Sequence, residues 1–381
     1  MDPRDGESEA VAAPELLAGG LEAYGRMWRM IEGARHCVDL ETYIYRQGAV
    51  GDRFRQLLAA AAARGVRVRV LIDAYGSNEL PDRYFDALER AGGEVRRFNP
   101  RRMLRFSFRN HRKLLRCDAG AVVGGLNVGD EYDGDGVSQG WRDFAVAVEG
   151  PVVGPLADSF ERMWQLASFG RESVRSFWRN RPRWIPVGSR SEQLLLSGPG
   201  CPTSELRRTL ATDIRGARSF RAWAAYFVPS RRIAVAIRSV ARRGDAQVVL
   251  GARSDVPVSR WASERLFARF LRAGVRIHDY LPQIMHAKVL IVDDLVYVGS
   301  ANLDVRSLRI NYELLLRVRS STLAERLREQ FGLDVARSEE VLLAEWRRRR
   351  RWWRVLRSYL AWLLIVRVDP YVATRKLQSL G

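Results

Sequence analysis

The feature that most constrains this chain is an internal repeat of a short polar pattern. The first copy lies in NHRKLLRCDAGAVVGGLN and the second in MHAKVLIVDDLVYVGSAN, and the two are offset by 175 residues, as from His111 to His286. The matched residues are His111, Lys113, Asp118, Gly124, Gly125 and Asn127 in the first copy, and His286, Lys288, Asp293, Gly299, Ser300 and Asn302 in the second. A repeat of this kind predicts two similar structural units that share one site.

The segments around both copies alternate between strand-like and helix-like patterns, which predicts an α/β fold. Two such lobes facing each other would form one active site at their junction. The strands are predicted near residues 38–45, 66–72, 220–228, 248–250 and 275–277, and the helices near 53–64, 81–91, 230–243 and 260–273.

Changes in composition divide the chain into five segments. We expect a flexible N-terminus (1–19), a first lobe (20–170), a linker rich in Arg, Ser, Trp and Pro (171–193), a second lobe (194–337) and a basic, Trp-rich segment (338–381).

Composition and charge exclude several classes of protein. A chain of 381 residues with 47% hydrophobic residues is neither disordered nor fibrous. The net charge of +19 predicts an anionic partner, either nucleic acid or an acidic membrane surface, and charge alone does not choose between them. The three cysteines are widely spaced, so neither a disulfide framework nor a zinc cluster is expected and a reducing compartment is favoured.

Neither end of the chain predicts a membrane span. The N-terminus shows no basic region followed by an apolar core, as a secretory signal would. The longest C-terminal apolar run, Tyr359 to Val366, is far shorter than the roughly 20 residues that a spanning helix needs. We therefore expect a soluble or peripheral protein.

The repeated pattern has the chemistry of a phosphate site. A histidine and a lysine two residues apart on a strand point to the same side and can reach one ligand. The small residues that follow, Gly125 and Ser300 among them, would let backbone N–H groups approach a phosphate, and Asn127 and Asn302 would add amide donors. These four residues are therefore predicted to bind a substrate phosphate.

Two histidines at one phosphorus suit phosphodiester exchange by nucleophilic catalysis. One imidazole attacks phosphorus, while the other protonates the leaving alkoxide and then deprotonates the incoming alcohol or water. The lysines and asparagines would stabilise the charge on the phosphoryl oxygens, so neither a metal nor another cofactor is required by this hypothesis.

The paired motifs resemble the phospholipase D superfamily, and the residues around them are similar to bacterial cardiolipin synthases of that type. The stretches that carry the resemblance are residues 41–77, FRNHRKLL, GGLNVGDEY, WRDFAVAVEGP and VGSANLDVRSLRINYELLL. The resemblance covers about residues 20 to 370. It implies two pseudo-symmetric α/β/α lobes, each with a mixed β-sheet flanked by helices.

The resemblance also implies a reaction and roles for individual residues. A phosphatidyl group would pass from one phosphatidylglycerol to a hydroxyl of another through a phosphohistidine, and glycerol would leave. His111 would attack and His286 would act as acid and base, although the pseudo-symmetry permits the reverse. Asp143 and Glu313 would orient the imidazoles, and the catalytic set implied by the motifs is His111, Lys113, Asp118, His286, Lys288 and Asp293.

The chain departs from the family pattern in two respects. Five residues, rather than the usual six, separate the motif aspartate from the first glycine in both copies, which predicts a tighter turn and an intact site. The N-terminal transmembrane helices of the longer synthases are not seen in this sequence. It therefore resembles the shorter, peripheral branch, in which phosphatidylethanolamine is an alternative donor.

Residues 346–366 favour a membrane surface over nucleic acid. This stretch places seven arginines and four tryptophans beside a short apolar run, as expected of a helix lying among anionic headgroups. The location implied is the cytoplasmic face of the bacterial inner membrane, and the alternative is a C-terminal helix packed on the protein. The residues predicted to bind the membrane are Trp346, Arg347, Arg348, Trp352, Trp353 and Trp362.

Two rival functions use the same motifs. A phospholipase-D-type nuclease would use the positive charge to bind nucleic-acid phosphates, but the Trp-rich tail argues against it. A phospholipase D would keep the lipid substrate and use water as the acceptor, and the motifs do not distinguish water from an alcohol.

Overall fold

The protein forms two mixed β-sheets flanked by helices, which confirms the predicted α/β class. The computed structural model describes residues 13–99, 108–168, 187–189, 191–199, 205–348 and 351–368. The first sheet has seven strands and the second has nine.

The first lobe contains seven strands and the helices that cover them. Its elements are β1 (Glu15–Ala18), α1 (Gly20–Gly33), β2 (Cys37–Thr42), α2 (Ala49–Ala63), β3 (Arg67–Asp73), α3 (Asp86–Arg90), β4 (Glu94–Phe98), β5 (Leu114–Cys117), β6 (Gly120–Gly124), a 3₁₀ turn (Asp130–Tyr132), β7 (Phe144–Glu149) and α4 (Val153–Ser168).

The second lobe repeats this order and is followed by two C-terminal helices. Its elements are β8 (Val187–Gly188), β9 (Glu192–Ser197), α5 (Glu205–Gly216), β10 (Ser219–Ala224), α6 (Arg231–Arg243), β11 (Asp245–Gly251), α7 (Pro257–Leu271), β12 (Arg276–Tyr280), β13 (Lys288–Val292), β14 (Leu295–Gly299), α8 (Val305–Arg309), β15 (Glu313–Arg319), α9 (Ser321–Ala336), β16 (Ser338–Glu340), α10 (Leu343–Arg348) and α11 (Trp352–Leu363), which continues as a π-helical turn (Leu364–Val368).

The two sheets share one pattern of pairing. The strand order is β1-β7-β6-β5-β2-β3-β4 in the first sheet and β16-β12-β11-β10-β13-β14-β15-β9-β8 in the second. In the first, β2, β3 and β4 are parallel, while β5, β6 and β7 form an antiparallel meander that joins the sheet through β2. In the second, β10, β11 and β12 are parallel and β13, β14 and β15 form the equivalent meander. The sequence repeat is therefore a repeat of structure.

A single hydrophobic core joins the lobes. Phe144 of β7 packs against Trp223 of β10 at a ring-centroid distance of 4.8 Å, and Trp223 packs against Phe331 of α9 at 4.9 Å. All three side chains are buried. Burying aromatic surface from both sheets in one cluster fixes the lobes against each other and so fixes the geometry of anything built at their junction.

Strands of both sheets lie beyond the predicted segment boundaries at the ends of the lobes. Residues 15–18, expected to be flexible, form β1 and pair with β7, because Leu16 and Leu17 are buried there. The second sheet begins before residue 194 with β8 and β9, and it ends after 337 with β16, which pairs with β12. Most of the predicted linker lies outside the described residues.

The shortened motif closes as a tight hairpin in both lobes. Cys117 pairs with Gly120 and Val292 pairs with Leu295, so only two residues form each turn. The first of these, Asp118 or Asp293, has a positive φ of 46° or 51°. Aspartate tolerates this left-handed conformation better than most residues.

Candidate active site

The two lobes meet at the histidines through reciprocal backbone hydrogen bonds. His111 N–H donates to Tyr312 O (3.0 Å), and Tyr312 N–H donates to Arg109 O (2.9 Å). On the other side of the pseudo-dyad, His286 N–H donates to Arg142 O and Arg142 N–H donates to Ile284 O, both at 2.9 Å. Each histidine is thus placed by the opposite lobe immediately before its own strand, β5 or β13.

Each imidazole is also held by a buried carboxylate of the opposite lobe. His111 Nδ1 lies 3.0 Å from Glu313 Oε2, and His286 Nδ1 lies 2.6 Å from Asp143 Oδ2. Both carboxylates are fully buried. A carboxylate at Nδ1 accepts the proton of that nitrogen and leaves the Nε2 lone pair of a neutral imidazole available.

The site keeps both imidazoles neutral at neutral pH. Burial lowers the pKa of His111 to about 4, and burial together with the charge of Lys288 lowers the pKa of His286 well below its usual value. A neutral imidazole is the form that can attack phosphorus or accept a proton.

The two carboxylates differ in their pKa. Burial raises the pKa of Asp143 to about 6, although Lys288 and a hydrogen bond from Phe144 N–H oppose the rise. Burial acts in the same direction on Glu313, but His111, Lys113 and Ser300 outweigh it and hold its pKa below the usual value. Asp143 is therefore the first of the two to gain a proton as the pH falls.

Ser300 and Gly125 lie next to the orienting carboxylates, and their predicted role as phosphate ligands stays a prediction. Ser300 is fully buried, and its hydroxyl donates to Glu313 Oε2 while accepting from Leu314 N–H (3.0 Å). At the equivalent position, a Cβ on Gly125 would lie 2.4 Å from Asp143 Oδ1. The small residues of the motif therefore make room for, or hold, the carboxylate that orients an imidazole.

Both motif lysines lie beside their histidines in buried positions. Lys113 Nζ donates to His111 O (2.6 Å), and Lys288 Nζ donates to His286 O and lies 2.9 Å from His286 Nδ1. Burial lowers the pKa of each lysine, and the charge of Lys288 lowers that of Lys113 further. Two such cations at one junction can stabilise a phosphoryl anion.

The two motif asparagines differ in the hydrogen bonds that their side-chain amides make. Asn127 accepts from Ile44 N–H (3.1 Å) and donates to the Tyr132 hydroxyl (2.6 Å), so its amide is already engaged in the protein. Asn302 is buried, and its Oδ1 has no hydrogen-bond partner among the described residues. The unpaired atom of Asn302 is an acceptor, which takes a hydrogen bond from an O–H or N–H group and not from an ionised phosphate oxygen, so binding of phosphate by either asparagine stays a prediction.

The motif aspartates lie away from the histidines, and their predicted place in the catalytic set stays a prediction. Asp118 accepts hydrogen bonds from the N–H groups of Arg35, His36 and Cys37, and Asp293 accepts from those of Arg218 and Ser219. They sit at the hairpin turns, at the far ends of β5 and β13. Their role is to fix each hairpin to the strand beside it.

Three aromatic residues of the site were not predicted. Tyr132 and Trp141 lie against His286, with ring-centroid distances of 5.1 and 5.5 Å, and the Tyr132 hydroxyl is 3.3 Å from His286 Nε2. Tyr43 lies 4.9 Å from His111. All three fall within stretches that carry the family resemblance, but no repeat or spacing marks them as site residues.

The predicted membrane residues divide into two groups. Trp346 packs on Phe267 at a ring-centroid distance of 5.0 Å, and Trp362 packs against the cluster around Val228 and Ala262. Both side chains are half-buried, and their contact with lipid stays a prediction. Arg347, Arg348, Trp352 and Trp353 are exposed. Among the described residues, none of the helices has the length and apolar character needed to cross a membrane.

Comparison with known proteins places this geometry in a family. The family described as cardiolipin synthase, phospholipase-D-like domain matches residues 27–164 and 210–335. The chain belongs to this cardiolipin synthase family. Each matched segment contains one copy of the repeated motif. The sequence-based identification of an enzyme of the phospholipase D superfamily is confirmed.

Curated members of the cardiolipin synthase family are similar over most of the chain. Cardiolipin synthase 1 of Bacillus cereus is 32% identical over 91% of this chain and 71% of its own length. Major cardiolipin synthase ClsA of Bacillus subtilis is 32% identical over 90% and 73%, and cardiolipin synthase A of Pseudomonas fluorescens is 34% identical over 92% and 74%.

Solved structures show the same fold at low sequence identity. Phosphatidylserine synthase of Haemophilus influenzae superposes with a TM-score of 0.72 at 13% identity and covers 94% of both chains. Polyphosphate kinase of Porphyromonas gingivalis gives a TM-score of 0.56 at 13% identity over 83% of this chain and 49% of its own. The two-lobed fold of this cardiolipin synthase family member is therefore shared with enzymes of different names.

Proposed function

We propose that this protein is a cardiolipin synthase. It transfers a phosphatidyl group from one phosphatidylglycerol, or from phosphatidylethanolamine, to a hydroxyl of another phosphatidylglycerol, and releases glycerol or ethanolamine. The observation that carries the proposal is the pair of imidazoles at the lobe junction, each held at Nδ1 by a carboxylate of the opposite lobe.

The reaction proceeds in two displacements at phosphorus. In the first, His111 Nε2 forms a bond to phosphorus, the bond from phosphorus to the headgroup oxygen breaks, and His286 gives a proton to that oxygen. In the second, His286 takes a proton from the incoming hydroxyl, whose oxygen bonds to phosphorus as the P–N bond breaks. Binding of the anionic phosphodiester favours the protonated form of His286 that the first step needs.

The hydrogen bonding of the two imidazoles supports His111 as the nucleophile. His111 Nε2 has no hydrogen-bond partner among the described residues, so its lone pair is open to phosphorus. His286 Nε2 lies within reach of the Tyr132 hydroxyl, which accepts from Asn127 and so can direct its own proton to His286. An imidazole in such a chain is suited to proton transfer.

The function is tested by lipid analysis with purified protein and phosphatidylglycerol vesicles, with and without phosphatidylethanolamine. We expect cardiolipin and glycerol by mass spectrometry. His111→Ala and His286→Ala should each retain less than about a hundredth of the rate, because each removes a reacting group. His36→Ala, which changes an exposed histidine outside the site, is the matched control.

Other products would assign one of the rival functions. Phosphatidic acid without cardiolipin would make water the acceptor and the protein a phospholipase D. Cardiolipin formed only when phosphatidylethanolamine is present would change the donor. No lipid turnover, together with cleavage of nucleic acid, would replace the proposal by a nuclease.

We also propose that the protein binds the membrane surface through α11 and the turn that follows it. Trp352, Leu356, Leu360, Leu364 and Val368 recur every fourth residue and are 78, 48, 52, 48 and 44% exposed. Residues four apart lie on one face of a helix, so they form a continuous apolar stripe on the surface. The opposite face, with Ser358 and Ala361 buried, packs on α7.

The charge beside the stripe suits an anionic bilayer. A cleft next to α11 has five arginines and no carboxylate among its lining residues: Arg231, Arg238, Arg269, Arg309 and Arg367. An exposed apolar helix face bordered by arginine is typical of peripheral binding to acidic lipid. The location we propose is the cytoplasmic face of the bacterial inner membrane.

Membrane binding is tested by flotation with vesicles of phosphatidylglycerol and phosphatidylcholine. The double variant Leu356→Asp with Leu360→Asp should lose most of its binding, because two charges would enter the apolar stripe. The matched control is Leu21→Asp with Leu333→Asp, two leucines that are also exposed but lie elsewhere. Equal binding by both double variants would refute the role of α11.

A further inference from the structure

Arg109 lies next to the candidate nucleophile but does not belong to the repeated motif. Its Nη1 donates to the Tyr43 hydroxyl (2.7 Å), and the Tyr43 ring lies 4.9 Å from the His111 ring. The Arg109 guanidinium lies 3.8 Å from the centroid of the Tyr75 ring, over its face. The Tyr43 ring therefore connects the Arg109 guanidinium to His111, whose imidazole we propose attacks phosphorus.

Within the described part of the chain Arg109 forms no ion pair, and its charge interacts with that of Asp73 only at longer range. No carboxylate there lies within ion-pair distance of the guanidinium, and Arg109 Nε is buried without a hydrogen-bond partner. The nearby carboxylate, Asp73, instead accepts from the backbone N–H groups of Asn110, Tyr75 and Gly76. Arginine stays protonated in proteins, so a half-buried positive charge with unused donors remains at this position.

The pseudo-symmetry shows that this cation is not part of the doubled machinery for the reacting phosphate. Arg109 and Ile284 are equivalent, since each backbone carbonyl accepts the same inter-lobe hydrogen bond, from Tyr312 or from Arg142. The histidines, lysines and orienting carboxylates all occur twice around the junction, whereas this cation has an isoleucine opposite. A single cation away from the dyad suits an anion that is present once.

We propose that Arg109, positioned by Tyr43 and Tyr75, binds the phosphate of the acceptor phosphatidylglycerol. This inference rests on the proposed function and adds the recognition of the acceptor to it. In cardiolipin the two phosphates are joined through one glycerol. The phosphate of the acceptor therefore lies no further from the reacting phosphorus than one glycerol unit allows. A guanidinium is well suited to such a phosphate, because it presents several N–H donors in one plane.

The subsite predicts a preference among acceptors. Water and free glycerol carry no phosphate, so they gain nothing from Arg109, whereas phosphatidylglycerol does. Both kinds of acceptor can be followed on one donor. Cardiolipin formation reports the anionic acceptor, and incorporation of labelled glycerol into phosphatidylglycerol reports the neutral one through the same phosphatidyl-enzyme.

The test compares both reactions in Arg109→Gln, Arg109→Lys and the control Arg55→Gln. Arg55 also stacks on a tyrosine of the first lobe, at 4.5 Å from the Tyr84 ring, but lies outside the site. In Arg109→Gln we expect the ratio of cardiolipin formation to glycerol exchange to fall by about tenfold or more, the effect of one hydrogen bond to a charged group. Arg109→Lys should recover part of the ratio, and Arg55→Gln should keep it.

Two outcomes would overturn the subsite, and a third would overturn the proposed function on which it rests. An equal loss of both reactions in Arg109→Gln would show that the residue supports the site as a whole, and an unchanged ratio at full activity would show that it does not recognise the acceptor. Glycerol exchange without cardiolipin in the unaltered protein would refute the proposed synthase function itself, which distinguishes that failure from a failure of Arg109.

Discussion

The two imidazoles of the site depend on carboxylates that lie far from them in the sequence. Glu313 is 202 residues from His111, and Asp143 is 143 residues from His286. Because each pair joins different lobes, neither imidazole has its orienting partner unless both lobes are folded and in contact. The repeat in the sequence indicates one shared site. Its spacing does not show that each imidazole pairs with the carboxylate of the opposite lobe.

The repeat marks one set of site residues in the sequence, whereas the others come near the histidines only in the folded chain. Tyr132 contacts His286 across 154 residues, and nothing in its local sequence distinguishes it from a core tyrosine. The repeat also marks Ser300 and Gly125, but their role is open to two interpretations, because a small residue suits a phosphate loop and equally leaves room for a carboxylate. Which of the two applies depends on where Glu313 and Asp143 lie.

The pH dependence of activity should follow Asp143 rather than His111. Burial raises the pKa of Asp143 to about 6 and lowers that of His111 to about 4, so Asp143 is protonated first as the pH falls. A neutral carboxyl no longer stabilises a protonated His286. We expect kcat/KM to fall with a midpoint near pH 6, and full activity down to pH 5 would contradict this assignment.

Tyr132→Phe should raise the midpoint of that acid limb. The hydroxyl can donate to His286 Nε2 and so favours the neutral imidazole, and its removal makes protonation of the Asp143–His286 pair easier. A hydrogen bond of about 1 kcal/mol corresponds to a shift of about 0.7 pH unit. Tyr24→Phe is the control, because that hydroxyl donates to Asn127 O and Gly129 O. An unmoved limb in Tyr132→Phe would remove Tyr132 from the proton path.

At the scale of elements, the strands of the α/β units were predictable because their apolar residues are dense and local. The parallel strands β2, β3, β10 and β11 fall close to the predicted segments. The edge strands β1 and β16 were missed. β16 has the sequence SEE, which carries no hydrophobic signal, and it pairs with β12 through backbone hydrogen bonds that any residue can form.

The hairpin aspartates should affect stability more than chemistry. Asp118→Ala removes the acceptor of three backbone hydrogen bonds and places alanine at a positive φ. We expect the free energy of unfolding in urea to fall by about 1–3 kcal/mol, while kcat falls far less than in His111→Ala. A loss of kcat as large as that of His111→Ala, with unchanged unfolding, would instead support the predicted place of Asp118 in the catalytic set.

At the scale of the whole molecule, the lobes are joined by a buried ion pair beside the site. Arg142 of the first lobe donates to Asp334 of α9 (2.9 Å) and to Gln330 (2.9 Å), and Trp223 also donates to Asp334 (2.8 Å). The backbone of Arg142 makes the inter-lobe bonds to Ile284 and His286. One residue therefore connects the packing of the lobes to the position of a reacting group.

Breaking this ion pair from one side should be costly. Arg142→Met leaves Asp334 buried without its cation, and we expect the free energy of unfolding to fall by about 3–5 kcal/mol in a denaturant titration. The double variant Arg142→Met with Asp334→Asn should recover much of the loss, because no buried charge remains and an acceptor for Trp223 is kept. A single variant as stable as the unaltered protein would show that the pair does not hold the lobes.

Trapping the covalent intermediate at the lobe junction is the decisive test of the proposed mechanism. The protein is mixed with vesicles of ³²P-labelled phosphatidylglycerol, quenched in alkali within one turnover and digested, and the labelled peptide is sequenced. We predict label on His111, absent from His111→Ala and strongly reduced in Glu313→Gln. Label on His286 would reverse the roles of the two histidines, and turnover without labelled peptide would contradict the phosphohistidine mechanism.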